Sequence, residues 1–362
     1  VLNEALLTQA TQEHNNQDSW SAPANIEVTQ IAGWGLDTIY GLAYDQCHFC
    51  PFGQDLSNLD RDLKETFDGD KTVVTGSAVI NGGSSYFIDL RAYNRGITVN
   101  RDHANITETH PVLSIIDKII RDYAESLPQY VSDSIPVNIN ISGYRLRMKS
   151  PVAVNIYDSQ NRHTGRANSP DPDSDITYYE EQIPNSSYTE LGEKKYISLD
   201  GEDNYTVKLD GEGTGTFSFE IDTITGDQTE TVSFENVPVT AALTGQLTLN
   251  SADRTVPPQL QLDSDGDGTP DTTLTANQPL TWQQGAQLLQ TAINESDLSK
   301  KLDKKITKEI NKLMKGLEKE KTKQAIKTLD KIDDLLEKAV DKKKQGISPE
   351  ESLKLREIVA AV

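Results

Sequence analysis

The chain has 362 residues and a formal net charge of −21. That length allows two to four domains with sizeable cores. The acidic balance repels nucleic acid, so no nucleic-acid partner is expected, and it suits a soluble extracellular protein or a cation binder. No apolar run approaches the ~20 residues needed to span a bilayer, so no transmembrane segment is expected. The charge is uneven: residues 281–362 hold 18 basic and 14 acidic side chains, leaving +4 there and −25 elsewhere.

Four regions separate by pattern. In residues 1–149 strands and helices alternate. Leu2, Ala5, Leu6 and Ala10 fall at helical spacing with no cap before them, as in the middle of a longer chain. Ile26–Ile31 reads as a strand running into a Gly33-Trp34-Gly35 turn, and Tyr86–Leu90 as a second strand. Pro111–Tyr123 reads as a helix with Val112, Ile115, Ile116, Ile119 and Ile120 on one face. Residues 150–224 are β in pattern: Val152–Tyr157, Tyr196–Leu199, Tyr205–Leu209 and Thr216–Ile221 alternate between Asp/Gly turns, as in a β-sandwich. Residues 225–280 continue in that style.

Residues 281–362 are helical. Leu298, Leu302, Ile306, Ile310, Leu313 and Leu317 form one apolar stripe, and Ala325, Ile326, Leu329, Ile332, Leu336 and Val340 a second. Gly316 lies in the first stripe and weakens it slightly. Ser348-Pro349 with Glu351 signals a further helix start. Three short helices, or a hairpin plus one, are expected.

Region one also holds carboxylates and histidines in a suggestive order. Asp68-Gly-Asp70-Lys-Thr-Val-Val precedes the strand at 86–90, and Arg101-Asp-His103-Ala-Asn follows it, before the helix. A Ser-His-Asp triad needs a carboxylate on the imidazole nitrogen facing away from the nucleophile. In α/β-hydrolases the chain order is nucleophile, acid, histidine. Acid, strand, loop histidine, helix is the second half of that order.

The set Ile31-Ala-Gly-Trp-Gly35, Gly69-Asp-Lys-Thr-Val73 with Ser77-Ala78, and His103-Ala-Asn-Ile106 resembles the C-terminal third of the lecithin:cholesterol acyltransferase-like lipases. The likeness covers roughly residues 1–125. It implies Asp70 as triad acid, His103 as base, and a lipid or other carboxylic ester as substrate. Asp68 is an alternative acid, and His110 reads as a helix-start residue. The chain departs from the family in one respect: no Gly-x-Ser-x-Gly occurs in it, so nucleophile and oxyanion loop are expected upstream and the chain alone is expected to be inactive.

Asp263, Asp265, Asp267 and Asp271 follow D-x-D-x-D-G-x-x-D. Alternate carboxylates can converge on one hard cation, and Gly268 permits the sharp turn. The twelfth position of an EF-hand would fall on Leu274, so the stretch is closer to the calcium loops of thrombospondin type-3 and dockerin-like repeats; structural Ca²⁺ is expected. Cys47-His-Phe-Cys50 lacks a second Cys/His cluster for zinc and lacks a thioredoxin-like context, which favours a local disulfide. Ser150–Gln160 resembles β-modules of secreted bacterial and archaeal hydrolases, and Ser296–Val362 resembles FIMAH-type helical modules of bacterial surface proteins, which would serve a cell-surface or protein partner.

The expected protein is therefore multidomain: a partial α/β-hydrolase (1–149), a β-sandwich module (150–224), a β segment with a calcium loop (225–280) and a helical module (281–362). Its expected function is that of the C-terminal part of a secreted lipase, esterase or acyltransferase. The alternatives are a non-enzymatic calcium-binding surface adhesion protein and a carbohydrate-binding module.

Overall fold

A parallel pairing of Thr29–Trp34 with Ser84–Asp89 organises the first of two compact units, Val1–Ile141 and Ser142–Val362. The computed structural model describes residues 3–45, 60–79, 83–97, 99–121, 126–135, 141–149, 151–167, 169, 177–319, 321–340 and 347–362. Cys47 and Cys50 lie outside these residues.

The first unit runs α1 (Glu4–Asp18), β1 (Thr29–Trp34), β2 (Thr38–Asp45), β3 (Asp60–Thr66), α2 (Thr75–Ala78), β4 (Ser84–Asp89), α3 (Leu90–Asn94), α4 (His110–Arg121) and β5 (Val131–Ser132). β1, β4 and β5 form one sheet in that order, and β2 and β3 pair as a separate hairpin. Ile88 and Leu90 pack with Leu36 and Val112 of α4, while Ala32, Trp34 and Phe87 form a second cluster with Ala78 and Val79.

Several details differ from expectation. α1 does have a cap, because the Asn3 side chain accepts from the Leu6 amide; no residue of α1 is buried. Gly33 and Trp34 remain in β1, and only Gly35 turns, at φ +94. On α4, Val112 and Ile115 are buried, whereas Ile116 and Ile120 are exposed, so only part of the expected stripe meets the core.

The second unit begins, among the described residues, with twelve strands: β6 (Ser142–Lys149), β7 (Val152–Tyr157), β8 (His163–Ala167), β9 (Tyr178–Glu181), β10 (Ser187–Leu191), β11 (Lys194–Asp200), β12 (Tyr205–Gly211), β13 (Gly215–Thr225), β14 (Gln228–Val239), β15 (Thr244–Leu249), β16 (Gln259–Asp263) and β17 (Thr272–Thr275). They form two sheets, β10-β11-β6-β13-β14 and β17-β16-β15-β12-β7-β8-β9, with antiparallel pairing throughout. Leu146 and Phe219 from the first sheet and Val154, Val207 and Leu260 from the second share one core. Alternation accounts for this arrangement. In β6, Tyr144, Leu146 and Met148 point inward while Arg147 points outward and pairs with Glu220 and Asp222.

The boundaries expected at 149/150 and 224/225 therefore do not separate modules. β6 lies between β11 and β13 in one sheet, and residues 224/225 end one arm of the β13–β14 hairpin, whose turn holds Gly226 at φ +58. One sandwich spans both expected β regions.

Among the described residues four helices follow, where three short helices or a hairpin plus one were expected: α5 (Trp282–Glu295), α6 (Lys300–Leu317), α7 (Thr322–Val340) and α8 (Pro349–Ala361). α5 starts on a Thr281/Gln284 capping box. The expected stripes meet in one core around Ile306, Ile310, Leu313, Ile332 and Leu336, but Ile326 is exposed. The helices are not a free tail, since α5 and α8 contact β14 and α8 contacts β13. Among the described residues, no helix is long and apolar enough to cross a membrane.

Glu309 ties α6 to α7. Burial opposes its ionisation, but hydrogen bonds from Lys312 and Lys331, each 2.8 Å, outweigh this and hold its carboxyl below the usual range. A depressed carboxyl pKa adds stability above the unfolded value, and this is lost as pH falls through the folded value. Glu309→Gln should lower stability by about 1–2 kcal/mol at neutral pH. Urea denaturation of variant and wild type should show this gap closing as the solution is acidified below the carboxylate range.

Candidate functional site

The Asp70 turn forms where β1 ends. Gly35 donates to the Phe67 carbonyl at 3.1 Å and Leu36 to that of Gly69 at 3.0 Å, so the returning β3 arm is laid beside the β1 exit. The next residues fold back on Asp70: its Oδ1 accepts from the Val73 amide at 2.8 Å and the Thr72 amide at 3.2 Å. Such a carboxylate turn is a local habit of Asp. Lys71 takes a left-handed conformation, φ +79, and its amide donates to Thr38 Oγ1 at 2.9 Å.

Two glycines make the approach possible. A Cβ on Gly33 would lie 2.7 Å from Leu90 Cδ1 and 2.9 Å from both Asp70 Cβ and Ile106 Cδ1. A Cβ on Gly69 would lie 2.4 Å from Thr38 Oγ1 and 2.7 Å from the Val73 carbonyl oxygen. Gly33 is thus a contact glycine, which explains why it stays in the strand.

The histidine arrives on the loop after β4 and α3. Buried Asn94 holds this loop twice: its Nδ2 donates to the Arg101 carbonyl at 2.9 Å and its Oδ1 accepts from the Arg101 amide at 2.8 Å. Asn105 Oδ1 accepts from the Asp102 amide at 2.9 Å. The His103 amide then donates to the Asp70 carbonyl at 2.9 Å, and His103 Nδ1 meets Asp70 Oδ2 at 2.9 Å. The acid is buried, whereas the His103 side chain is 48% exposed. Nε2 has no hydrogen-bond partner among the described residues. A carboxylate on Nδ1 selects the tautomer whose Nε2 lone pair is available as a base.

Asp68 does not reach His103, since it is exposed and serves the turn through its carbonyl, which accepts from Thr75. His110 heads α4, with Nδ1 3.2 Å from Ser114 Oγ. The positioning roles of Thr38 and Asn94 escaped the sequence reading, because each acts through a bond to residues that no local motif links to it.

The second unit holds the acidic loop, which closes the β16–β17 hairpin. Asp263 is buried; its Oδ1 accepts from Gly266 at 2.8 Å and Asp267 at 3.2 Å, and its Oδ2 from Gly268 at 2.8 Å. Carboxylate oxygens of Asp263, Asp265 and Asp267 converge within 4.8 Å of one another, so the three could hold a metal ion. Gly266 and Gly268 adopt positive φ, which permits the coil. The structure does not bring Asp271 into this group. Its Oδ2 accepts from the Ser264 amide at 2.7 Å and hydroxyl at 2.6 Å, closing the neck of the loop.

Comparison with family models, with curated proteins and with solved structures returns no match.

Gly69→Ala should destabilise the first unit by about 1–3 kcal/mol, the cost of forcing a methyl against backbone. Gly76→Ala, in α2 with open space around it, should be neutral or slightly stabilising. Denaturant titrations of both variants check the contrast.

Proposed function

We propose that the first unit is the acid–base half of a serine ester hydrolase of the α/β-hydrolase type. The observation that carries this reading is the 2.9 Å contact of buried Asp70 with His103 Nδ1, which leaves Nε2 open. In the reaction, a serine outside this sequence attacks the ester carbonyl. His103 Nε2 takes the serine proton and returns it to the leaving alcohol. Asp70 keeps the imidazole oriented and stabilises its charged form. Water or a second alcohol then releases the acyl group.

Two further features support the reading. No described strand pairs with the other edge of β1, although Ala32, Gly33 and Trp34 are buried. Parallel strands normally lie inside larger covered sheets, so this edge suits an additional strand. The β2–β3 hairpin springs from Thr38, beside the acid turn, and exposes Ile39, Tyr40, Leu42 and Tyr44. An exposed apolar surface that starts beside the Asp70 turn favours a lipid-like ester as substrate.

In the second unit we infer a structural Ca²⁺ site formed by Asp263, Asp265 and Asp267. Carboxylate oxygens are the donors a hard cation takes, and millimolar extracellular calcium would fill a weak site. This favours a secreted or cell-surface location.

In the protein encoded by the whole reading frame, His103→Ala should abolish hydrolysis of a chromogenic ester. Asp70→Asn should lower kcat by roughly 10⁴, as expected when the tautomer is no longer fixed. Activity retained by His103→Ala would refute the assignment. Calorimetric titration of this chain with calcium should find one site with Kd of ~10⁻⁴–10⁻³ M. Asp265→Ala should remove it and Asp271→Ala should leave it, because Asp271 holds Ser264.

A further inference from the structure

The lysines of α6 are arranged unlike those of the helices around it. α6 carries seven lysines and no arginine, with Asp303 and Glu309 as its acidic residues. Asp303 lies half-buried at the edge of the lysine face, and Glu309 lies beneath it. Asp303 accepts from Thr307 Oγ1 at 3.1 Å, and Glu309 is buried between Lys312 and Lys331. In α7, four lysines are matched by four acidic residues, and Lys338 pairs with Asp334 at 2.7 Å. In α8, Lys354 pairs with Glu350 at 2.8 Å. A face built only for solubility mixes the two signs, as α7 does.

On α6, Lys304, Lys308, Asn311 and Lys315 recur at spacings of four, three and four, so they form a straight row about 16 Å long. Together with Asp303, Thr307 and Lys312 they line a shallow groove, in which lysines outnumber the one carboxylate. Lys304, Lys308 and Lys315 have no carboxylate partner among the described residues.

We propose that this face of α6 docks a flexible linear polymer of closely spaced phosphate groups. Charge complementarity selects an anion. Lysine ammonium groups act as point charges without the bidentate fork of arginine, so the row reads charge density, and closely spaced phosphates carry more negative charge per unit length than carboxylates do. The strongly acidic remainder of the chain repels a bulky or stiff polyanion, whereas a thin flexible chain can follow a single helix. This inference is independent of the ester-hydrolase reading.

The test uses the whole chain and end-labelled linear inorganic polyphosphate, followed by fluorescence anisotropy. Binding is expected at about 50 mM salt, weakening roughly 20-fold by about 200 mM if three phosphates are neutralised. The variant Lys304→Gln/Lys308→Gln/Lys315→Gln should lose at least about ten-fold in affinity with unchanged circular dichroism and Tm. Lys323→Gln/Lys327→Gln, on α7, should stay within about two-fold of wild type. Absence of binding at low salt, equal losses in both variants, tighter binding to polyglutamate or duplex DNA, or self-association through the same lysines would each overturn the proposal.

Discussion

Gly33 and Gly69 let three segments approach more closely than any side chain would permit: the end of β1, the turn carrying Asp70, and the base of the β2–β3 hairpin at Thr38. Each replacement would place a Cβ inside 3.0 Å of neighbouring atoms, and for Gly69 one of these is a backbone oxygen that cannot swing away. The position of the acid follows from that constraint. Once Asp70 is fixed, two of its groups receive the histidine loop: the carbonyl takes the His103 amide and the carboxylate takes Nδ1. Backbone and side chain thus deliver the imidazole together, so its orientation does not rest on one rotatable contact.

The rest of the first unit supports the same point. Asn94 holds the histidine loop at Arg101, and Thr38 holds Lys71 in its left-handed conformation. A non-glycine residue at positive φ costs about 1 kcal/mol or more and persists only where its surroundings over-determine it. Here the Thr38 hydroxyl and the Asp70 turn do so. The second unit uses similar local chemistry to another end. Asp263 gathers three amides and so coils the loop, which brings the carboxylates of Asp265 and Asp267 to its own.

Much of this was legible in the sequence where the relevant signal is local. The order of Asp70, strand, His103 and helix can be read along the chain, as can the alternation of β6, β7, β12 and β13 and the apolar stripes of α6 and α7. The misread features depend on distant partners. Gly33 looked like a turn residue because its crowding by Leu90 and Ile106 is invisible to local pattern. The boundary at 149/150 looked natural because Arg145, Arg147 and Lys149 dilute the apolar signal of β6. They are the outward half of a strand whose neighbours, β11 and β13, lie about 50 to 75 residues on. The boundary set at 224/225 falls beside Gly226-Asp227, the tip of the β13–β14 hairpin. Asp271 fitted the ligand spacing, but its carboxylate is taken by Ser264, a choice that spacing alone does not reveal.

The 2.9 Å contact with Asp70 orients His103 and selects its tautomer, and proton NMR of the imidazole tests this directly on this chain. A hydrogen-bonded Nδ1–H should resonate well downfield of the amide region, with the lone pair of the neutral imidazole on Nε2, and Asp70→Ala should abolish that resonance. Absence of a downfield imidazole proton, or a tautomer mixture in wild type indistinguishable from that of Asp70→Ala, would show that Asp70 does not set the state of the imidazole.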